Sequence, residues 1–324
     1  MYALSADFMG QPLWMWLGYL TFVFVLLSFD LWFLSRKGRD IDIKQSMRLS
    51  AFYISMGLAF AVFIWWRLGG DAAVLYLTGY VVEESLSLDN IFVIALIFGY
   101  FQIPQSHQHR ALVYGIIGVV LLRGLMIGAG TAMVDRFHWV LYVFAAFLVY
   151  TGIRMLLSAD DQFDVSNASL LRFLHRHLPL TTELHGDRFF VREPKTGAEK
   201  AGYLATPLFL ALVMVEFADV IFAVDSVPAI FSITTEPYIV FTSNISAILG
   251  LRALYFALSA MLERFSLLKY SLSAVLVFIG GKILIGEMMG LGKMPDLWSL
   301  AISVAILAAG VVASLALTKT PNTQ

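Results

Sequence analysis

Between Tyr203 and Ile233 the chain is apolar over a length that crosses a bilayer, yet this stretch carries three carboxylates, Glu216, Asp219 and Asp225. An ionisable side chain at mid-bilayer costs roughly 2.5 to 3.5 kcal/mol on insertion scales, so three in one segment require partners, water or a bound cation. A segment of this kind is a functional-site candidate by default. Composition extends the membrane reading to the whole chain. Of its 324 residues 59% are hydrophobic and 14% are charged, against about 25% charged in soluble domains.

A second stretch repeats the pattern. Aligning Asp225 with Asp89 lays DVIFAVDSVPAIF from Asp219 over EESLSLDNIFVIA from Glu83. Each copy has a carboxylate, five intervening residues, an aspartate, a polar side chain (Asn90 or Ser226) and an apolar run. Downstream, LLRGLMI around Arg123 resembles GLRALYF around Arg252, and YTGIRML around Arg154 resembles FIGGKIL around Lys282.

Apolar segments at 12–34, 47–67, 73–101, 111–134, 138–158, 203–232, 238–262, 269–289 and 297–318 predict an all-α polytopic membrane protein of about nine transmembrane helices, a single membrane domain over 1–324. The first loop holds Arg36, Lys37, Arg39, Lys44 and Arg48, which makes it cytoplasmic and puts the N-terminus outside and the C-terminus in the cytoplasm. The first apolar run lacks a basic flank and a cleavage site, so it reads as a retained span. With this topology the third span enters from outside and the sixth from inside. Repeat 1 (73–158) and repeat 2 (203–289) are then antiparallel, the 3+3 inverted repeat of many secondary transporters, whose sites lie at the midplane between the repeats. The two spans over 12–67 and the last over 297–318 read as peripheral support. In the cytoplasmic loop 159–202, SLLRFLHRHL from Ser169 has the spacing of an interfacial helix, and RFFVREPKTGAEKAGYLATP suits a small hairpin.

Within each acidic motif the two carboxylates stand about 120° apart on an ideal helix, so they converge only if the helix breaks or each faces a different neighbour. Asp89-Asn90, Asp225-Ser226 and Pro228 are residue types that favour a break. An unwound point would add backbone carbonyls to Glu83, Asp89, Glu216, Asp219 and Asp225, with Asn90, Ser226 and Asn244 as supporting oxygen donors. Such an all-oxygen cage suits Mg²⁺, Ca²⁺ or Mn²⁺, and the thioethers of Met126, Met133 and Met214 would soften the preference towards Mn²⁺. The competing reading neutralises the acids in buried ion pairs with Arg123 and Arg252. Five or six acids against two arginines leave an excess of negative charge. Absence of cysteine excludes disulfides and thiol redox chemistry, and a formal net charge of -1 gives no nucleic-acid signal. No GxxxxGK[ST] string occurs, so ATP-driven transport by this chain alone is not expected; the chain is read as a transporter and not as an enzyme.

GYVVEESLSLDNIFV, ATPLFLALVMVEFADVIFAVDSVPAIFSITTEPYIVFTSN, ILGLRALYF and ERFSLLKY resemble the TerC family of integral membrane proteins, above all its Alx branch, over roughly residues 15 to 315. The resemblance implies a member of the LysE-like transporter superfamily with nine spans in the bacterial inner membrane, exporting Mn²⁺ and protecting against metal stress. It carries the family's intramembrane acids onto Glu83, Asp89, Glu216, Asp219 and Asp225. Mn²⁺ is then the transported ion and no cofactor is permanently bound. The lipid bilayer, a divalent cation and coupling protons are the expected partners. The alternative is a non-transporting redox modulator or metal-sensing partner of other envelope proteins, which would need no matched second copy of the acidic motif.

Overall fold

The computed structural model describes residues 6–35, 43–137, 139–157, 169–192, 202–258, 268–288 and 294–317. Among these residues the chain is an all-α polytopic membrane protein with two very small sheets. The helices are α1 (Leu13–Ser35), α2 (Ile43–Leu68), α3 (Gly70–Tyr100), α4 (Gln105–Arg136), α5 (Val140–Leu157), α6 (Ser169–His177), α7 (Pro207–Phe231), α8 (Pro237–Leu258), α9 (Leu268–Met288) and α10 (Asp296–Leu317). A helix fills each apolar segment singled out in the sequence. The starts follow local chemistry: α7 and α8 begin on Pro207 and Pro237, whose missing N–H is no loss in a first turn, and α10 begins on Asp296, where a carboxylate meets the positive end of the helix dipole.

Six of these helices, α2, α4, α5, α7, α9 and α10, are long and apolar enough to cross a membrane, and α1 and α8 contain shorter apolar stretches. The acids of α3 set it apart: Glu83 and Glu84, with Asp71 or Asp89, fall in every stretch of comparable length. The outer surface of the bundle is apolar, with Phe24, Trp66, Leu125 and Leu157 well exposed, as expected where the surroundings are lipid.

Direction within the bundle is fixed by paired positions. On α3 and α8, Gly79 faces Ser243 and Phe98 meets Tyr255, so the two helices run in the same sense. On α4 and α7, Gly118 faces Glu216 and Gly130 faces Phe231, again the same sense. On α3 and α7, Gly79 faces Ile230 while Asn90 lies beside Asp219, so these two run oppositely. On α5 and α9, Gly152 faces Ser273 and Val277 while Gly280 faces Ala145 and Leu148, also opposite. Outside this six-helix core, α2 packs on α3 and α8, and α10 packs on α9 and α3. Lys282 of α9 donates to Ser299 Oγ of α10 at 3.1 Å.

The polar loop folds as its sequence pattern suggests. In α6, Leu171 and Leu174 are buried while Arg172, Phe173, His175, Arg176 and His177 are exposed. Downstream, β3 (Phe190–Arg192) pairs antiparallel with β4 (Tyr203–Ala205). A further hairpin, β1 (Asp7–Phe8) with β2 (Gln11–Pro12), precedes α1, its turn made by Met9 and Gly10 at positive φ.

The expected helix breaks do not occur. The α3 helix is continuous through Asp89 and Asn90, and α7 is continuous through Asp225, Ser226 and Pro228. Pro228 lies in the last turn of α7, where losing one N–H removes a single backbone bond. Burial of Ala223, Val227, Ala229, Ile230 and Phe231 holds the helix together there. The Pro228 carbonyl then serves the helix end, accepting from the backbone N of Ser232 at 3.0 Å and from its hydroxyl at 2.8 Å.

The α5–α9 crossing depends on bare backbone. A Cβ on Gly280 would stand 2.5 Å from the Ala145 carbonyl oxygen, closer than real Cβ atoms come to anything. Gly280→Val is therefore expected to force the helices apart and lower stability by about 1–3 kcal/mol. Gly281, with open space beside it, serves as the control: Gly281→Ala should stay within about 0.5 kcal/mol of the parent protein. Thermal unfolding in detergent distinguishes the two, and equal midpoints would show that the crossing is not tight.

Candidate functional site

The middle of the bundle holds a fully buried guanidinium. Arg123 of α4 has no exposed surface, and its side chain reaches across α4 to three other helices. Its Nη1 donates to Glu83 Oε1 of α3, to Ser226 Oγ of α7 at 3.0 Å and to Asn244 Oδ1 of α8 at 3.1 Å. Its Nε and Nη2 donate to the two oxygens of Asp219 on α7, at 3.3 and 3.0 Å. Asn244 Nδ2 closes the ring by donating to Glu83 Oε2 at 2.8 Å. This fork onto Asp219 matches the planar geometry at which arginine and carboxylate bind most strongly. Two buried carboxylates against one guanidinium leave a formal charge of -1 within the cluster.

Beside the cluster lies a cavity of about 80 Å³, walled by Glu83, Asn90, Arg123, Asp225 and Ser226 on its polar side and by Leu86, Met155, Phe222, Leu272 and Leu276 on its apolar side. Asp225 is half-buried and interacts electrostatically with Arg154 of α5. Asn90 is buried and its Oδ1 has no hydrogen-bond partner. A smaller cavity of about 30 Å³ lies across Asn90 and Phe222, bounded by Asp219, Gly115 and Tyr255. Asn90 and Phe222 line both spaces.

Glu83, Arg123, Asp219, Ser226 and Asn244 thus meet in one cluster, and Asn90 and Asp225 join it through the cavity. Glu216 stands apart, over Gly115 and Gly118 of α4, with neither oxygen hydrogen-bonded. A side chain at Gly118 would collide with that carboxyl group. Asp89 lies in α3 and Arg252 in α8, and their side chains fall outside the described ones. The oxygens of Glu83 and Asp219 are engaged by Arg123 and Asn244 rather than forming an open cage, and continuous helices contribute no freed carbonyls. No group of three or more acidic or histidine side chains among the described residues is arranged to hold a metal ion. For Glu83 and Asp219, the buried ion pair with Arg123 is the arrangement observed.

Two side chains that line the larger cavity, Met155 and Phe222, were not singled out by sequence reasoning. Met155 sits near the end of an apolar run and Phe222 is one of many phenylalanines; Arg154 marked a repeated motif, and its interaction with Asp225 is what the structure adds. Glu84 has both oxygens buried without a hydrogen bond, close to Gly250. The methionines named from the sequence do not line the large cavity, and Met155 does.

A bundle of apolar helices closed around buried acids and an arginine defines an integral multi-pass membrane protein. The chain belongs to the TerC family: the model described as "Integral membrane protein TerC family" matches residues 68–322, a range that takes in both acidic helices. The chain is 44% identical over 306 residues to the membrane protein STKORF319 of Myxococcus xanthus, named as uncharacterised, covering 94% of this chain and 93% of that one. It is 46% identical over 286 residues to a Salmonella typhi protein named a candidate "membrane-bound redox modulator Alx", covering 85% of this chain and 86% of that one. The Escherichia coli K12 protein of the same name is 44% identical over 286 residues, at 85% and 87% coverage. No solved structure matches the chain.

The two aspartates of α7 differ in what they support, and substitution separates them. Asp219→Asn removes the carboxylate that accepts the two-pronged fork, leaving Glu83 as the counter-charge of Arg123, and should lower stability by about 1.5–3 kcal/mol. Asp225→Asn changes a cavity wall and should shift it by less than about 1 kcal/mol. Unfolding midpoints of the purified proteins in detergent check this; equal losses would mean that Asp225 is also structural.

Proposed function

We propose that this protein is a secondary transporter that exports a divalent cation, Mn²⁺ foremost, through the space between two three-helix units, α3–α5 and α7–α9. The observation that carries the reading is the cavity where these units meet, with Asp225 and Ser226 of α7 and Glu83 and Asn90 of α3 on its polar side, in a bundle with six helices, α7 among them, apolar enough for a bilayer. Carboxylate, amide and hydroxyl oxygens suit a hard divalent ion, and the Met155 thioether shifts the balance from Mg²⁺ and Ca²⁺ towards Mn²⁺. In this reading Asp225 and Glu83 are the charged ligands from the two units, Asn90 and Ser226 supply neutral oxygens, and Asp89, Glu216 and Asp219 belong to the path rather than to one cage.

The opposite sense of α3 and α7 supports an inverted repeat, and so does the exchange of partners, α3 on α8 and α7 on α4. Matched acidic copies in opposite frames give alternating access a reason to exist; a scaffold has none. The same proposal has nine spans, from the apolar segments, with the N-terminus outside and the C-terminus cytoplasmic, from the distribution of loop Lys and Arg, and an inner-membrane location, from the resemblance to the Alx branch. Superfamily kinship with LysE-like transporters and a role in metal homeostasis belong to the same proposal. A redox role, which the names of the Alx relatives suggest, finds no thiol in this chain.

Purified protein in liposomes should carry Mn²⁺ along an imposed gradient, with protons competing for the same oxygens. Flux should therefore rise from about pH 5.5 to 8.5, since ligand carboxylates bind metal only when deprotonated. A flat profile would contradict that competition. Asp225→Asn should lower Mn²⁺ flux per inserted molecule by about tenfold or more, whereas Asp71→Asn, at the exposed start of α3, should leave it unchanged. Normal flux in Asp225→Asn would remove this residue from the ion path.

A further inference from the structure

Glu83 and Asp219 already hold a cation, and it is part of the chain. Of the four oxygens of this pair, three accept from Arg123 and the fourth, Glu83 Oε2, accepts from Asn244. The hold is uneven. Asp219 is bound by a two-pronged fork from Nε and Nη2, whereas Glu83, Ser226 and Asn244 all share the single nitrogen Nη1. Losing Glu83 would therefore leave the guanidinium docked on Asp219 and still bonded to Ser226 and Asn244.

The cavity lies on the Glu83 side of this arrangement. Asp225, Ser226 and Asn90 line it, the buried Asn90 keeping its Oδ1 unpartnered, and Glu83 and Arg123 complete the wall. A divalent ion there would have beside it the Asp225 carboxylate, the Asn90 amide and the Glu83 carboxylate, whose competing cation is the neighbouring Arg123. Two cations at that separation repel, so the ion and Nη1 cannot share Glu83 favourably.

We propose that Arg123 is a tethered competitor of the transported cation: the ion takes Glu83 from Nη1 while the fork on Asp219 stays in place, and Nη1 recovers Glu83 when the ion leaves. Arg123 is in this sense a positioning residue that sets ion affinity and secures release. The inference rests on the reading of the chain as a cation transporter. It assigns the two acids different duties, Glu83 as the exchangeable ligand and Asp219 as the anchor of the competitor.

The test compares Mn²⁺ binding and Mn²⁺ flux for the full-length protein, Arg123→Lys and Arg123→Ala. Binding is read in detergent by the electron paramagnetic resonance signal of free Mn²⁺, and flux in liposomes. Losing the competitor should tighten Mn²⁺ binding while slowing turnover, by about tenfold each for Arg123→Ala and less for Arg123→Lys, whose ammonium cannot form the fork. Free guanidinium ion at a non-denaturing concentration should weaken Mn²⁺ binding to Arg123→Ala, by refilling the vacated place, and leave the parent protein unaffected. If Arg123→Ala does not accumulate, Arg123→Lys decides alone. Affinity equal to or weaker than the parent's in the variants that fold, with the parent still carrying Mn²⁺, overturns the competitor role and leaves the transport reading standing. A parent protein that neither binds nor carries Mn²⁺ overturns that reading, and this inference with it.

Discussion

A guanidinium cannot lie in the middle of an apolar bundle without compensation, and the packing of this protein follows from that constraint. Even after relaxation, taking an ion out of water costs several kcal/mol, and removing a buried partner is a severe lesion. Arg123 meets the constraint by drawing Glu83 from α3, Asp219 and Ser226 from α7 and Asn244 from α8 onto one point of α4. Two consecutive helix pairs, α3–α4 and α7–α8, far apart in sequence from one another, are thereby fixed in mutual register. Apolar packing in lipid gives helices little directional preference, so a polar centre of this kind specifies which faces meet. The same centre leaves its excess negative charge beside an open cavity, which ties structural specificity to cation chemistry.

Around that centre the bundle has two kinds of helix. Those bearing the acids and their neighbours, α3, α4, α7 and α8, carry the polar atoms inward; α5 and α9 cross tightly over bare backbone at Gly152 and Gly280. The remaining long helices clad this core, α2 on α3 and α8, and α10 on α9 and α3. Their outward faces hold large apolar side chains such as Trp65, Trp66 and Val312. Asn90 and Phe222 line both small cavities, and under the proposed transport function they are where movement of one unit against the other would open a path.

Much of the fold was legible because lipid imposes a simple code. Apolar runs bounded by charge, proline or glycine give helices, and the spacing within SLLRFLHRHL gives α6. The break at Asp225–Pro228 was misread because capping and proline signals are local, whereas α7 is held by burial of the side chains around them. The acids were visible as residues out of place in apolar runs. Their partners were not decidable, since nothing in the sequence says whether Arg123 faces Glu83 and Asp219 or another neighbour. Met155 escaped notice because position near a helix end gives no hint that a side chain lines a central cavity. The succession of motifs, by contrast, is written twice in the same order, and α3 and α7 run in opposite senses within the bundle.

The most direct test of the account is the position of the ion itself. Anomalous scattering from crystals of the protein with Mn²⁺ bound, collected at the manganese edge, should place one peak in the cavity between Asp225 and Glu83, with Asn90 Oδ1 within coordination reach and Arg123 still on Asp219. A peak elsewhere in the bundle, or saturating Mn²⁺ with no peak there and the bond from Arg123 to Glu83 unchanged, would contradict it.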